Sequence, residues 1–146
     1  MTLHLLKLSV GSESYESLKA FQAQRRKDRR AMGEPGENRH VTRMWPRRES
    51  EILDGGSIYW VIKGVIRARQ RIKRFDEVIG EDGIRRCGIV LQAKLIRTVP
   101  RQKRPFQGWR YLAEADAPAD LASVEKGSGD DLPPELIAEL KELGLM

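Results

Sequence analysis

The chain is 146 residues long, the size of one domain, with 27 Lys and Arg against 21 Asp and Glu and a formal net charge of +6. A single cysteine, Cys87, excludes an internal disulfide framework, and no apolar run approaches the ~18 residues that a membrane-crossing helix needs. The opening stretch, residues 1–11, lacks the basic start and small-residue cleavage site of a signal peptide, so a cytoplasmic location is expected.

Residues 2–10 alternate and stop at Gly11, which reads as a first strand. Ser12 or Ser14 then caps a helix over about residues 13–32, with Tyr15, Leu18 and Phe21 at helical spacing and a wholly polar second half rich in arginine. Residues 33–38, GEPGEN, are a loop. A short strand over residues 40–46 ends at Pro46, and a helical turn follows that Gly55 and Gly56 close. Residues 57–64 have the β-branched and aromatic content of a buried strand.

The next stretch, VIRARQRIKRFDEVI, fits two periods. On period two, Ile66, Ala68, Gln70 and Ile72 share one face and Arg67, Arg69, Arg71 and Lys73 the other. On helical period, Val65, Ala68, Ile72, Phe75 and Ile79 align. Strand through about Lys73 is preferred, because it continues the parity of Ile58, Trp60 and Ile62. GEDG at residues 80–83 is a turn, residues 84–100 another strand with Cys87, Ile89 and Leu91 on one face, and residues 106–112 a final strand or packed segment. Residues 113–131 read as a flexible acidic linker, and residues 132–146 as a short helix with an apolar stripe of Leu136, Ile137, Leu140 and Leu143.

Charge divides the chain. Residues 1–112 hold 25 basic and 12 acidic residues, +13, whereas residues 113–146 hold 2 and 9, −7, which together give +6. A basic body points to a polyanion as partner, RNA or a nucleotide, with the acidic tail competing for the same surface. The usual catalytic kits are missing: two histidines and one cysteine do not make a closed zinc site, and neither a Walker loop nor a Gly-x-Ser-x-Gly elbow occurs. No metal and no cofactor are expected.

What remains is a set of cations interleaved with flat rings. Arg43, Trp45, Lys63, Arg67, Arg69, Trp109 and Arg110 are the candidate nucleic-acid contacts. Guanidinium groups hold phosphates and rings stack on exposed bases, which suits single-stranded or structured RNA better than a duplex groove. The competing enzymatic reading takes Lys63 as a base with a burial-lowered pKa beside Thr42, acting on a modified nucleoside or RNA. A third reading is a protein-interaction module in which the terminal helix docks on a partner or a second copy to form a homodimer.

TRMWPRR, GGSIYWVIKGVIRARQRI, GIRRC and RPFQGWRYL resemble an uncharacterised, mainly alphaproteobacterial family, domain of unknown function 1489. The resemblance implies one folded domain and carries no activity. The order of elements is similar to that of PUA-like domains of the ASCH and EVE kinds, which are small bent barrels that commonly bind RNA or modified nucleobases. The ASCH pattern Gly-x-Lys-x-x-Glu-x-Arg is absent, so its hydrolase activity is not carried over. The expected architecture is therefore α+β, with a small bent or barrel-like, mostly antiparallel sheet, flanking helices, a disordered linker and a short C-terminal helix.

Overall fold

A computed structural model describes residues 2–126. Six strands, β1 (Leu3–Leu8), β2 (Asn38–Thr42), β3 (Ser57–Ile62), β4 (Val65–Ile79), β5 (Arg85–Gln102) and β6 (Trp109–Ala113), form one sheet in the order β2-β5-β4-β3-β1-β6. Every pairing is antiparallel except β1 with β3. The sheet is not closed: β2 and β6 are its two edges. It is nonetheless strongly curled. β2 and β3 stand three strand steps apart, about 14 Å in a flat sheet, yet the rings of His40 and Trp60 lie 5.8 Å apart.

Alternation along the strands sends two sets of side chains to opposite faces. Leu3, Leu5, Ile58, Trp60, Ile62, Ala68, Ile72, Cys87, Ile89 and Trp109 fill the inner face. Helix α1 (Tyr15–Ala31) adds Leu18 to this core and the short helix α2 (Glu49–Leu53) adds Ile52. Leu6, Tyr59, Val61, Ile66 and Leu112 form a smaller cluster on the outer face, covered by Phe106 and Ala117.

Local chemistry explains the boundaries. Ser14 caps α1 and exchanges hydrogen bonds with Ser17 in a reciprocal box, so a serine stands where the sequence pattern usually has Glu or Gln. Gly56 is required by close approach, since a Cβ there would lie 2.3 Å from the carbonyl oxygens of both Leu3 and Ile52. The ambiguous stretch is strand throughout, extending past Lys73 to Ile79.

Three sequence expectations need correction. The strand expected at residues 57–64 stops at Ile62: Lys63 (φ 50°) and Gly64 (φ 77°) make the two-residue turn of a β3–β4 hairpin. Arg67 is then an extra residue relative to β3, in a bulge between Ile66 and Ala68 opposite Trp60 and Val61, which puts Ile66 on the outer face and Ala68 on the inner one. The strand expected at residues 40–46 is Asn38–Thr42, leaving Trp45 and Pro46 beyond it. The linker is built as far as it is described: after a 3-10 turn (Glu114–Asp116), Asp120 bridges to Thr98 and helix α3 (Leu121–Lys126) begins. The terminal helix at residues 132–146 lies outside the described residues.

Candidate functional site

The cation and ring set chosen from sequence is brought together only in part: the 43–45 stretch meets Trp109 at the Met44 carbonyl, whereas Lys63, Arg67 and Arg69 stand on the β3–β4 hairpin. Trp109 is 5% exposed, and its Nε1 donates to the Met44 carbonyl at 2.8 Å, so it is a core residue that ties the β6 edge to the chain following β2. Trp45 is half-buried. Its Nε1 donates to Glu49 at 3.1 Å, and the Arg85 guanidinium covers its ring at 4.2 Å, which occupies the face a base would use. Arg69 makes a two-pronged pair with Asp120 at 2.6 and 2.9 Å and a third bond to Ser57 Oγ. Arg67 is half-buried in its bulge with Nε lacking a partner. Arg110 lies over Phe106 on the outer side, and Arg43 is exposed after β2.

The Lys63 and Thr42 pairing fails on geometry. Val65, next to the Lys63 turn, pairs with Gln102 at one end of the β4–β5 ladder, whereas Thr42 pairs with Cys87 at the other. Lys63 is also exposed rather than packed among Trp60 and Ile62, so the burial that would make it a base is absent. Cys87 is buried and its thiol is pushed up to about 11, chiefly by desolvation, as a structural residue requires.

A different set does converge. Between α1, the end of β1 and the edge strand β2 lies a cavity of about 330 Å³. Trp60, Leu18 and Phe21 supply its apolar walls, and Lys7, Arg25, Arg29 and His40 its nitrogen groups. Register explains the convergence. Lys7 continues the inward parity of Leu3 and Leu5 and pairs with Trp60, so a lysine is carried onto the core face. His40 lies two residues from the buried Asn38 on β2, and the curl of the sheet brings it to Trp60.

A buried amide network stiffens the floor. Gln22 and Gln70 exchange two 2.8 Å hydrogen bonds, and Gln70 also accepts from Trp60 Nε1 at 3.2 Å and donates to the Gln92 carbonyl at 2.7 Å. Asn38 donates to the Gln22 carbonyl and accepts from Arg26 at 2.7 Å, pinning α1 to β2. These bonds hold the Trp60 ring in place while using its polar edge.

The groups above that floor are not so occupied. Neither the Lys7 nor the His40 side chain has a hydrogen bond or ion pair among the described residues. Burial, and secondarily the Lys7 charge, lowers the His40 pKa to about 4, so its imidazole is neutral at physiological pH. Burial also lowers the Lys7 pKa from its ordinary value. The lining carboxylate, Glu37, is held by Arg74 and Lys73 with its pKa down to about 2, and Arg74 also pairs with Asp76, so this network is balanced and Glu37 adds no free negative charge to the cavity. A half-desolvated ammonium without a counter-ion, next to a neutral imidazole and an indole, is suited to an anionic ligand that carries a flat ring.

The model for Protein of unknown function (DUF1489) matches residues 5–146. The chain belongs to this family. No curated protein and no solved structure matches it. Membership in DUF1489 covers the strands and helix that build the cavity as well as the basic body. Among the described residues no helix is long and apolar enough to cross a membrane, and no group of three His, Cys, Asp or Glu is placed to hold a metal ion.

Lys7, Phe21 and His40 are absent from the contacts that the sequence pattern points to. The parity of Leu3, Leu5 and Lys7 was the available signal for the first of these. For His40 there was none, because its approach to Trp60 depends on curvature.

Proposed function

We propose that this protein binds RNA or a nucleotide, seating one nucleotide in the cavity between α1 and β2. The observation that carries the reading is the unpartnered Lys7 ammonium, half-buried beside Trp60 and His40 in a cavity whose rim is cationic. Lys7 neutralises a phosphate, exposed Phe21 offers its ring to a base, and Trp60, 5% exposed, is the apolar floor beneath. The neutral His40 imidazole hydrogen-bonds the base or ribose. At about 330 Å³ the space is at the small end of ligand pockets, which favours one nucleotide over a duplex.

Two further features support this role. The +13 balance of residues 1–112 raises the local concentration of any polyanion, with exposed Arg43 and Arg110 adding to the field. The element order is similar to that of PUA-like domains, many of which bind RNA, although the sheet here is open. An RNA partner fits a cytoplasmic location.

Fluorescence anisotropy of a labelled single-stranded RNA hexamer tests the assignment. Lys7→Ala should weaken binding about tenfold, the worth of one charge-assisted contact. Lys63→Ala, at the distant hairpin turn, should change it little. Equal affinity for wild type and Lys7→Ala would overturn the reading.

A further inference from the structure

The cavity has a direction. Ser17, Phe21, Arg25 and Arg29 of α1 line it at four-residue intervals, a stripe twelve residues or about 18 Å long. At one end the 9–14 loop, which joins β1 directly to α1, borders the angle between helix and sheet with Ser9, Val10, Gly11 and Ser12. At the other end the stripe becomes cationic. Arg25 and Arg29 stand one helical turn apart, about 6 Å, and the Glu37 carboxylate there is already neutralised by Lys73 and Arg74. Arg25 lies over the Phe21 ring, 5.7 Å from its centroid, and has no acidic partner among the described residues. Arg29 has Glu34 at 3.3 Å. The groove is thus bordered by the β1–α1 loop at one end, with Arg25 as its unpaired cation towards the other.

Resting on the nucleotide reading of the same site, we propose that the ligand is the end of a single RNA strand. Its terminal nucleotide sits against Trp60, with Lys7 on that nucleotide's phosphate. The chain leaves along α1, its next two phosphates on Arg25 and Arg29. A groove open at both ends would accept an internal segment, but the direct β1–α1 connection does not let a strand pass through. The gradient from serine hydroxyls through rings to arginines matches a ligand neutral at one end and increasingly anionic along its length.

The test compares three probes on the full chain: 5′-AMP, a linear RNA hexamer and a covalently closed RNA dodecamer. The linear hexamer should bind at least tenfold more tightly than 5′-AMP, and its log affinity against log salt should be steeper by about 1.4, for two added phosphates at 0.7 each. Arg25→Gln and Arg29→Gln should each lower hexamer affinity more than 5′-AMP affinity. The closed dodecamer should bind more weakly than the linear hexamer. A closed circle that binds as well as the hexamer, or a hexamer no better than 5′-AMP, overturns the strand-end assignment and leaves single-nucleotide binding standing. Failure of all three probes overturns both.

Discussion

His40 provides a direct check on the electrostatics of the cavity. Its folded pKa of about 4, against 6.5 for a free imidazole, arises chiefly from burial and then from Lys7. The unfolded chain therefore binds a proton that the folded chain refuses, and stability falls as pH drops from about 6.5 towards about 4. Between pH 7 and pH 5 this one group accounts for a loss of about 2 kcal/mol. Replacing it by His40→Gln removes the titration. Urea unfolding of both proteins at the two pH values, with stability extrapolated to water, gives the comparison. The variant should lose about 2 kcal/mol less than the wild type over this interval. Some slope remains in both, because buried His4, whose pKa is also lowered by desolvation, acts in the same direction. Glu37 and Asp82, each held at about 2 by arginine or lysine partners, contribute stability that is lost only as pH falls below the ordinary carboxylate range, so pH 5 largely spares them. Equal losses in wild type and His40→Gln would refute the reasoning that the imidazole is desolvated between β2 and Trp60.

Other substitutions separate structural cations from binding ones. Arg69→Ala leaves Asp120 without its two-pronged partner beneath the segment that follows β6, and should cost about 2 kcal/mol in urea unfolding while RNA affinity stays within twofold. Trp109→Phe loses the bond to the Met44 carbonyl and should destabilise by about 1 kcal/mol, again without weakening RNA binding in anisotropy. Lys63→Asn places a residue that tolerates positive φ in the hairpin turn and should raise the melting temperature slightly; a lowered one would contradict the turn assignment. The buried Cys87 thiol, at about 11, should react with a thiol-specific chromogenic reagent only as fast as the protein opens, and reaction at the rate of a free thiol would contradict its burial.

The elements were legible where local chemistry decides them. Ser14 capping α1, the turn at residues 80–83 and the common face of Cys87, Ile89 and Leu91 all follow from residue type and spacing. Errors arose where one residue changes parity. Arg67 reads as part of a charged face, but as a bulge it shifts the alternation and moves Ile66 to the opposite side from Ala68. Tertiary partners were the other hidden quantity. Arg69 and Trp109 look like nucleic-acid contacts in one dimension, and Asp120 and the Met44 carbonyl, 51 and 65 residues away, claim them in three. The cavity was the least legible feature, since it needs the curl of the sheet to bring β2 over β3. Its seed was nonetheless visible in Lys7, a cation standing at the inward parity of a leucine strand.

The central claim, that an anionic nucleotide seats beside Lys7, His40 and Trp60, is tested most directly by nuclear magnetic resonance. With two histidines in the chain, the His40 imidazole can be followed through a pH titration with and without 5′-AMP. A bound phosphate offsets the Lys7 charge, so the pKa of His40 should rise from about 4 on adding 5′-AMP, with accompanying shifts at the Lys7 amide and the Trp60 indole. An unchanged His40 titration, with shifts confined to the 104–110 stretch, would contradict the account.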